Sequence, residues 1–217
     1  MKKKSTLLTL ILSTALLISC GRKEGGNGMS EVHAAGDQEI RTLFETVCSA
    51  DEALASSKSS DAVVFEERGC TSGKEIWDSF YKTAMNGEPS SVLCAHYYTL
   101  DKERVSEELY EEEKDLYPML FFYLLEYDGE KYTLSVRKSD EEKPEDQQTF
   151  PYLQHITGEA PSTALYRTYD NYVLVDDLTA SWEGITAAQY SSDSNVKAYR
   201  NCPVYTDCLG WKESEGQ

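Results

Sequence analysis

The chain has 217 residues, with 38 Asp and Glu against 21 Lys and Arg, for a formal charge of −17. So acidic a surface excludes nucleic acid as a partner, because phosphate binding needs clustered Lys and Arg, and it disfavours lying flat on anionic lipid. The balance favours solubility and a cationic partner, while a 40% hydrophobic content is enough for one packed domain of ordinary size.

Lys2, Lys3 and Lys4 open the chain, an apolar run extends from Leu7 to Ile18, and Leu17-Ile18-Ser19-Cys20 closes the segment. A charged start, a greasy middle and a small residue before a cysteine predict an export signal. The run is well short of the ~20 apolar residues that a spanning helix needs. The closing tetrapeptide resembles the lipobox of bacterial lipoproteins, with Leu17 at the −3 place, Ser19 at −1 and Cys20 at +1. This resemblance covers only the first twenty residues. It implies that Cys20 receives a diacylglyceryl group and that residues 1–19 are then removed. The lipidated Cys20 would hold the chain to a bacterial cell membrane, facing outside the cytoplasm. Two acyl chains suffice for stable anchoring, at about 0.8 kcal/mol per buried methylene. Loss of residues 1–19, which carry three lysines and no acid, makes the chain more acidic still. Residues 20–36, rich in Gly and polar side chains, read as a flexible tether, and residues 37–217 as a single globular domain.

Asp37 is placed to cap a first helix running to about Ala55, with Ile40, Leu43, Phe44, Val47 and Cys48 on one face. Ala62 to Phe65 predicts a short strand leading into "EERGCTSGKEIW", Glu66 to Trp77. This stretch is not a phosphate-gripping loop, since three residues rather than four separate Gly69 from Gly73 and Glu75 follows Lys74. Nor is it a nucleophile elbow, because the centre of its G-x-x-x-G frame is Thr71. Ser72 and Glu75 have the spacing of a capping box. The helix they would open carries Ile76, Trp77, Phe80, Tyr81 and Ala84 on one side and stops at Gly87 and Pro89.

The remainder predicts antiparallel sheet. Ser91 to Thr99 alternates, and Met119 to Tyr127 is almost wholly apolar. Asp128-Gly129 then makes a hairpin turn into Lys131 to Lys138. In that return strand Tyr132, Leu134 and Val136 oppose Lys131, Thr133, Ser135 and Arg137, so one face is expected buried and one wet. Glu107 to Asp115 and Ser139 to Gln148 are acidic, the latter an exposed loop. A second hairpin is predicted from Ala164 to Asp176 with its turn at Asp170-Asn171. Thr179 or Ser181 can start a helix carrying Trp182, Ile185 and Ala188, and Val196 to Tyr205 supplies a last edge strand. The predicted fold is α+β, an antiparallel sheet of about five to seven strands with two N-terminal helices and one later helix.

Candidate chemistry is sparse. No Cys or His stands three or four residues from His33, His96 or His155, which argues against zinc. No EF-hand loop is present either, so neither metal nor cofactor is expected. Asp176-Asp177 is explained by the helix start that follows. Besides Cys20 there are five cysteines, an odd number that leaves at least one thiol even where disulfides are permitted. Cys202 and Cys208 flank "PVYTD" and could close a local bridge; Cys48 with Cys70 is a second pairing, and Cys94 sits mid-strand. Fifteen tyrosines and three tryptophans serve either sheet packing or a binding surface. The expectation is a membrane-anchored lipoprotein whose non-catalytic domain binds a small-molecule, glycan or protein ligand through an aromatic sheet face or cleft. The alternative is a cell-envelope hydrolase using a carboxylate pair or Cys70 with His96 or His155.

Overall fold

The computed structural model describes residues 28–67, 69–144, 147–190 and 197–212. Cys20 and the export signal lie outside them. In chain order the elements are α1 (Gly28–Glu45), α2 (Ala50–Lys58), β1 (Ala62–Glu66), β2 (Gly69–Ser72), α3 (Lys74–Met85) and β3 (Ser90–Tyr98), then α4 (Glu107–Glu113), β4 (Met119–Tyr127) and β5 (Tyr132–Lys138). They continue with β6 (Gln148–Phe150), β7 (Tyr152–Glu159), β8 (Thr168–Val175), α5 (Trp182–Tyr190) and β9 (Asn201–Leu209). The class is α+β, with two sheets in place of the one expected. A six-stranded sheet runs β2-β1-β3-β4-β5-β6, and a three-stranded antiparallel sheet runs β7-β8-β9. The first is mixed, because β1 and β3 lie parallel, joined through β2 and α3.

The chain builds four layers. On one face of the six-stranded sheet, α1 and α2 bury Ile40, Leu43, Phe44 and Ala53 against Leu93, Ala95, Leu120, Phe122 and Leu124. On the other face α3 and the small sheet share a core in which Trp77 and Phe80 meet Val63, Phe65, Leu125, Tyr172, Leu174 and Tyr205. Burying each large side chain contributes about 1.5–3 kcal/mol. The fourth layer is α5, whose Ile185 packs on Val173 and Val175 behind the small sheet. Coverage on both faces explains why β4 reads as a continuous apolar run.

Several local expectations are corrected. The helix begins at Gly28, inside the segment read as a tether, so Asp37 is not a cap but a member of α1. It ends at Glu45, and Ser49 starts α2 afresh with a capping box to Glu52. Val47 falls in the break and is exposed. Ser72 does not cap α3, because strand pairing with Val64 takes it. The N-cap is Gly73, at φ 79° and with no side-chain bond to the helix. At its other end α3 closes as expected, with the Gly87 amide donating to the Ala84 carbonyl at 2.9 Å.

Asp170-Asn171 is not a turn either. Both residues are paired inside β8, and the connection from β7 runs through 160–167. The side of β5 expected to be wet meets the end of α1 at Arg137 and Gln147 at Ser135, and both residues are buried. The hairpin at Asp128-Gly129 and the cap at Ser181, whose Oγ accepts the Gly184 amide at 3.1 Å, are as expected.

Candidate functional site

The aromatic surplus is spent first on the seam between the sheets. Trp77 sits 4.9 Å from the Tyr205 ring and 5.0 Å from Tyr172. Tyr172 in turn contacts Tyr81 at 4.8 Å and stacks on His155 at 4.1 Å. These ring contacts form a continuous network, buried at Trp77, Tyr172 and Tyr205 and reaching the surface at His155, which is packing rather than a binding face.

At one end the seam opens into a cleft of about 220 Å³. It lies past the carboxyl ends of the parallel strands β1 and β3, which supply Phe65 to Glu67 and His96 to Tyr98. Loops leaving the carboxyl ends of parallel strands are where open α/β sheets place ligands. The opposite wall comes from Thr206 and Cys208 of β9 and from Trp211 beyond it. Phe65 and His96 stack at 4.4 Å with their rings parallel to within 5°, and Tyr98 follows on the same sheet face. The rim is acidic. Glu66 accepts from Lys58 at 2.8 Å and from the Thr71 hydroxyl; burial raises its carboxyl, but these donors outweigh burial and hold it below its usual range. Glu67 is the one non-glycine described residue at positive φ, 44°, and accepts a 3.3 Å bond from the Thr99 hydroxyl.

His96 is the buried titratable group of the cleft. Its Nε2 is enclosed with no partner among the described residues, and burial, opposed by a hydrogen bond to the Val204 backbone, pulls its pKa down to about 4. The ring is therefore neutral at pH 7. A folded pKa below the unfolded ~6.5 means that stability is fully present above pH 6.5 and is lost as pH falls toward 4, by on the order of 3 kcal/mol. Unfolding midpoints followed between pH 7 and 4 should fall more steeply for the parent than for His96→Phe. Parallel curves would show that His96 is not held neutral.

The predicted chemical groups are not assembled for catalysis. Burial pushes up the thiols of Cys48, Cys70, Cys94, Cys202 and Cys208, the opposite of what a nucleophile requires. Among the described residues no hydrogen bond joins a histidine to a thiol: His155 Nε2 lies 2.6 Å from Asp170, and Cys70 lies beside the Tyr205 hydroxyl. The Cys202–Cys208 bridge is overturned. Both residues belong to the extended strand β9 and are free, and six residues of strand set them roughly 20 Å apart. Cys48 and Cys70 are free as well. Asp177 does not start α5; it takes the Thr179 amide at 2.8 Å and pairs with Lys197. No group of three or more metal-ligating side chains occurs among the described residues. His33 is in α1, with its side chain outside the described residues.

No family model matches the chain, and neither does any curated protein or solved structure compared with it. Nothing in the local sequence marks the cleft, since its walls come from three segments far apart in the chain. The signals that were there are the tyrosines of "HYY" and the acidic pair ahead of Gly69.

Proposed function

We propose that the protein is a bacterial lipoprotein, anchored through lipid on Cys20 and facing outside the cytoplasm, whose domain binds a ligand in the aromatic cleft without transforming it. The observation that carries the binding half is the cleft itself. Its rings come from β1, β3 and Trp211 beyond β9, and its one histidine is held neutral. Apolar, aromatic-lined concavities with a few polar groups are the usual form of small-ligand sites. The raised thiols and the distance of His155 from the cleft walls weigh against the hydrolase alternative. The anchoring half rests on the lipobox-like tetrapeptide. No helix among the described residues is long and apolar enough to cross a membrane, and two acyl chains would supply the attachment.

The two halves are tested separately. Cys20→Ala should move the protein from the membrane to the soluble fraction on cell fractionation; retention at the parent level would refute lipidation. Trp211 lines the cleft, so its fluorescence reports ligand entry. A ligand at a hundred times its Kd should add about 2.7 kcal/mol to the unfolding free energy.

A further inference from the structure

We propose that the cleft is a cage for an alkylated ammonium cation, a quaternary or N-methylated ammonium head group, held against Tyr98 and Trp211 and facing the carboxylate of Glu67. This rests on the reading above that the cleft binds a ligand, and it names the class.

Size comes first. About 220 Å³ lies below the ~300–1,000 Å³ of sites that enclose drug-sized molecules, so the cleft has room for one compact group and not for a sugar chain or a folded segment. Charge comes second. No Lys or Arg among the described residues lines the cavity, whereas Glu66 and Glu67 both do. Glu66 is already paired with Lys58, whereas among the described residues Glu67 meets a hydroxyl and no cation. The uncharged His96 ring adds no opposing cation.

The third argument concerns hydration. A bare ammonium needs three acceptors in place of its lost water, and stripping it without them is costly. Apart from the two rim carboxylates, the described side chains of the walls offer aromatic rings, the enclosed His96 Nε2, the Tyr97, Tyr98 and Thr206 hydroxyls and the Cys208 thiol. An alkylated ammonium carries its charge beneath a shell of methyl groups and holds water weakly. The negative faces of aromatic rings therefore attract it without any hydrogen bond. Ring walls, an acidic rim and few acceptors among the described interior side chains fit that cation better than they fit lysine or a metal ion.

Free and lipid-borne forms of the head group share this chemistry, and titration of the purified chain at pH 7.5, followed by Trp211 fluorescence and by unfolding midpoint, separates them. The probes are choline, its neutral isostere 3,3-dimethylbutan-1-ol, ethanolamine, indole, and vesicles of phosphatidylcholine or phosphatidylglycerol. Choline should bind at least tenfold more tightly than either the isostere or ethanolamine. Capture by phosphatidylcholine vesicles but not phosphatidylglycerol would assign the lipid source, and binding of choline alone the free one.

Tyr98 is 43% exposed, so Tyr98→Leu should leave the unfolding midpoint in place while weakening choline about fivefold or more, as removal of one ring from a cation contact does. Glu67→Gln should weaken choline and leave indole unchanged. Equal binding of choline and the isostere, or binding of indole alone, would overturn the cation claim and leave the cleft reading intact. Silence from every probe would overturn both.

Discussion

Replacing Arg137 by methionine should cost the fold about 3–5 kcal/mol, since hydrogen bonds from a charged donor are worth about 1.5–3 kcal/mol each and several buried carbonyls lose theirs together. The side chain is 1% exposed. Its guanidinium is tied to main-chain carbonyls: Nε donates to Phe44 at 2.5 Å, Nη2 to Thr46 at 2.7 Å and Nη1 to Glu141 at 2.6 Å, with Lys138 and Ser139 each at 3.1 Å. Phe44 and Phe122 lie over it at 5.7 and 5.5 Å. Phe44 belongs to the last turn of α1, where carbonyls lack helical partners and carry the negative end of the helix dipole. Arg137 thus acts as the C-terminal cap of α1 from 93 residues away. Methionine fills the volume but leaves the carbonyls buried and unbonded, at about 1–3 kcal/mol for each one that water cannot reach. Lysine keeps the charge but not the planar fork, so Arg137→Lys should recover less than half of the loss. Urea midpoints at constant m value provide the measurement. A methionine variant as stable as the parent would mean that the carbonyls find water without the arginine.

The second large effect is expected at Gly73. It stands at φ 79°, and a Cβ there would lie 2.4 Å from the Ala62 carbonyl oxygen and 2.9 Å from Val63 Cα. Neither obstacle can move, because both are backbone of β1, which is locked between β2 and β3. Gly73→Ala should therefore cost about 3 kcal/mol or more, combining left-handed strain with forced displacement of a core strand. Gly87 supplies the control. Its φ is 77°, almost the same, yet nothing lies within 4 Å of its would-be Cβ. Gly87→Ala should cost only about 1 kcal/mol, the conformational part alone. Equal losses at the two positions would show that the contact with β1 plays no role.

The contrast between these glycines also shows what could be read from the chain alone. Gly87 ends a helix, a local event, and its position after Ala84 with Pro89 beyond was sufficient to place it. The β4–β5 hairpin was equally local, with an apolar run before Asp128-Gly129 and a period-2 pattern after it. Gly73 answers to Ala62, which is near in sequence, but only because β1 folds back on β2. The serine-to-glutamate spacing next to it pointed to a cap that strand pairing forbids.

Arg137 was placed on the wet side because its neighbours on that face, Thr133 and Ser135, are polar. Only the arrival of α1 shows that this face is covered by a helix end rich in carbonyls. The parallel pairing of β1 with β3 had no local signature. The cleft depends on that pairing and on β9 together, so its residues could not be grouped in advance. Cys202 and Cys208 misled for the opposite reason: closeness along the chain is distance along a strand.

The position of β9 governs when the molecule can become folded. Val204 and Tyr205 close the core that begins with Val63 and Phe65, so its first and last contributors are separated by most of the domain. Such long-range closure is slow, because loop entropy must be met before the contacts form. Until residues near 205 are available, Trp77 and Phe65 lack a wall and the small sheet lacks an edge. A chain arranged in this way keeps its core open during synthesis and closes it only when its last strand is available.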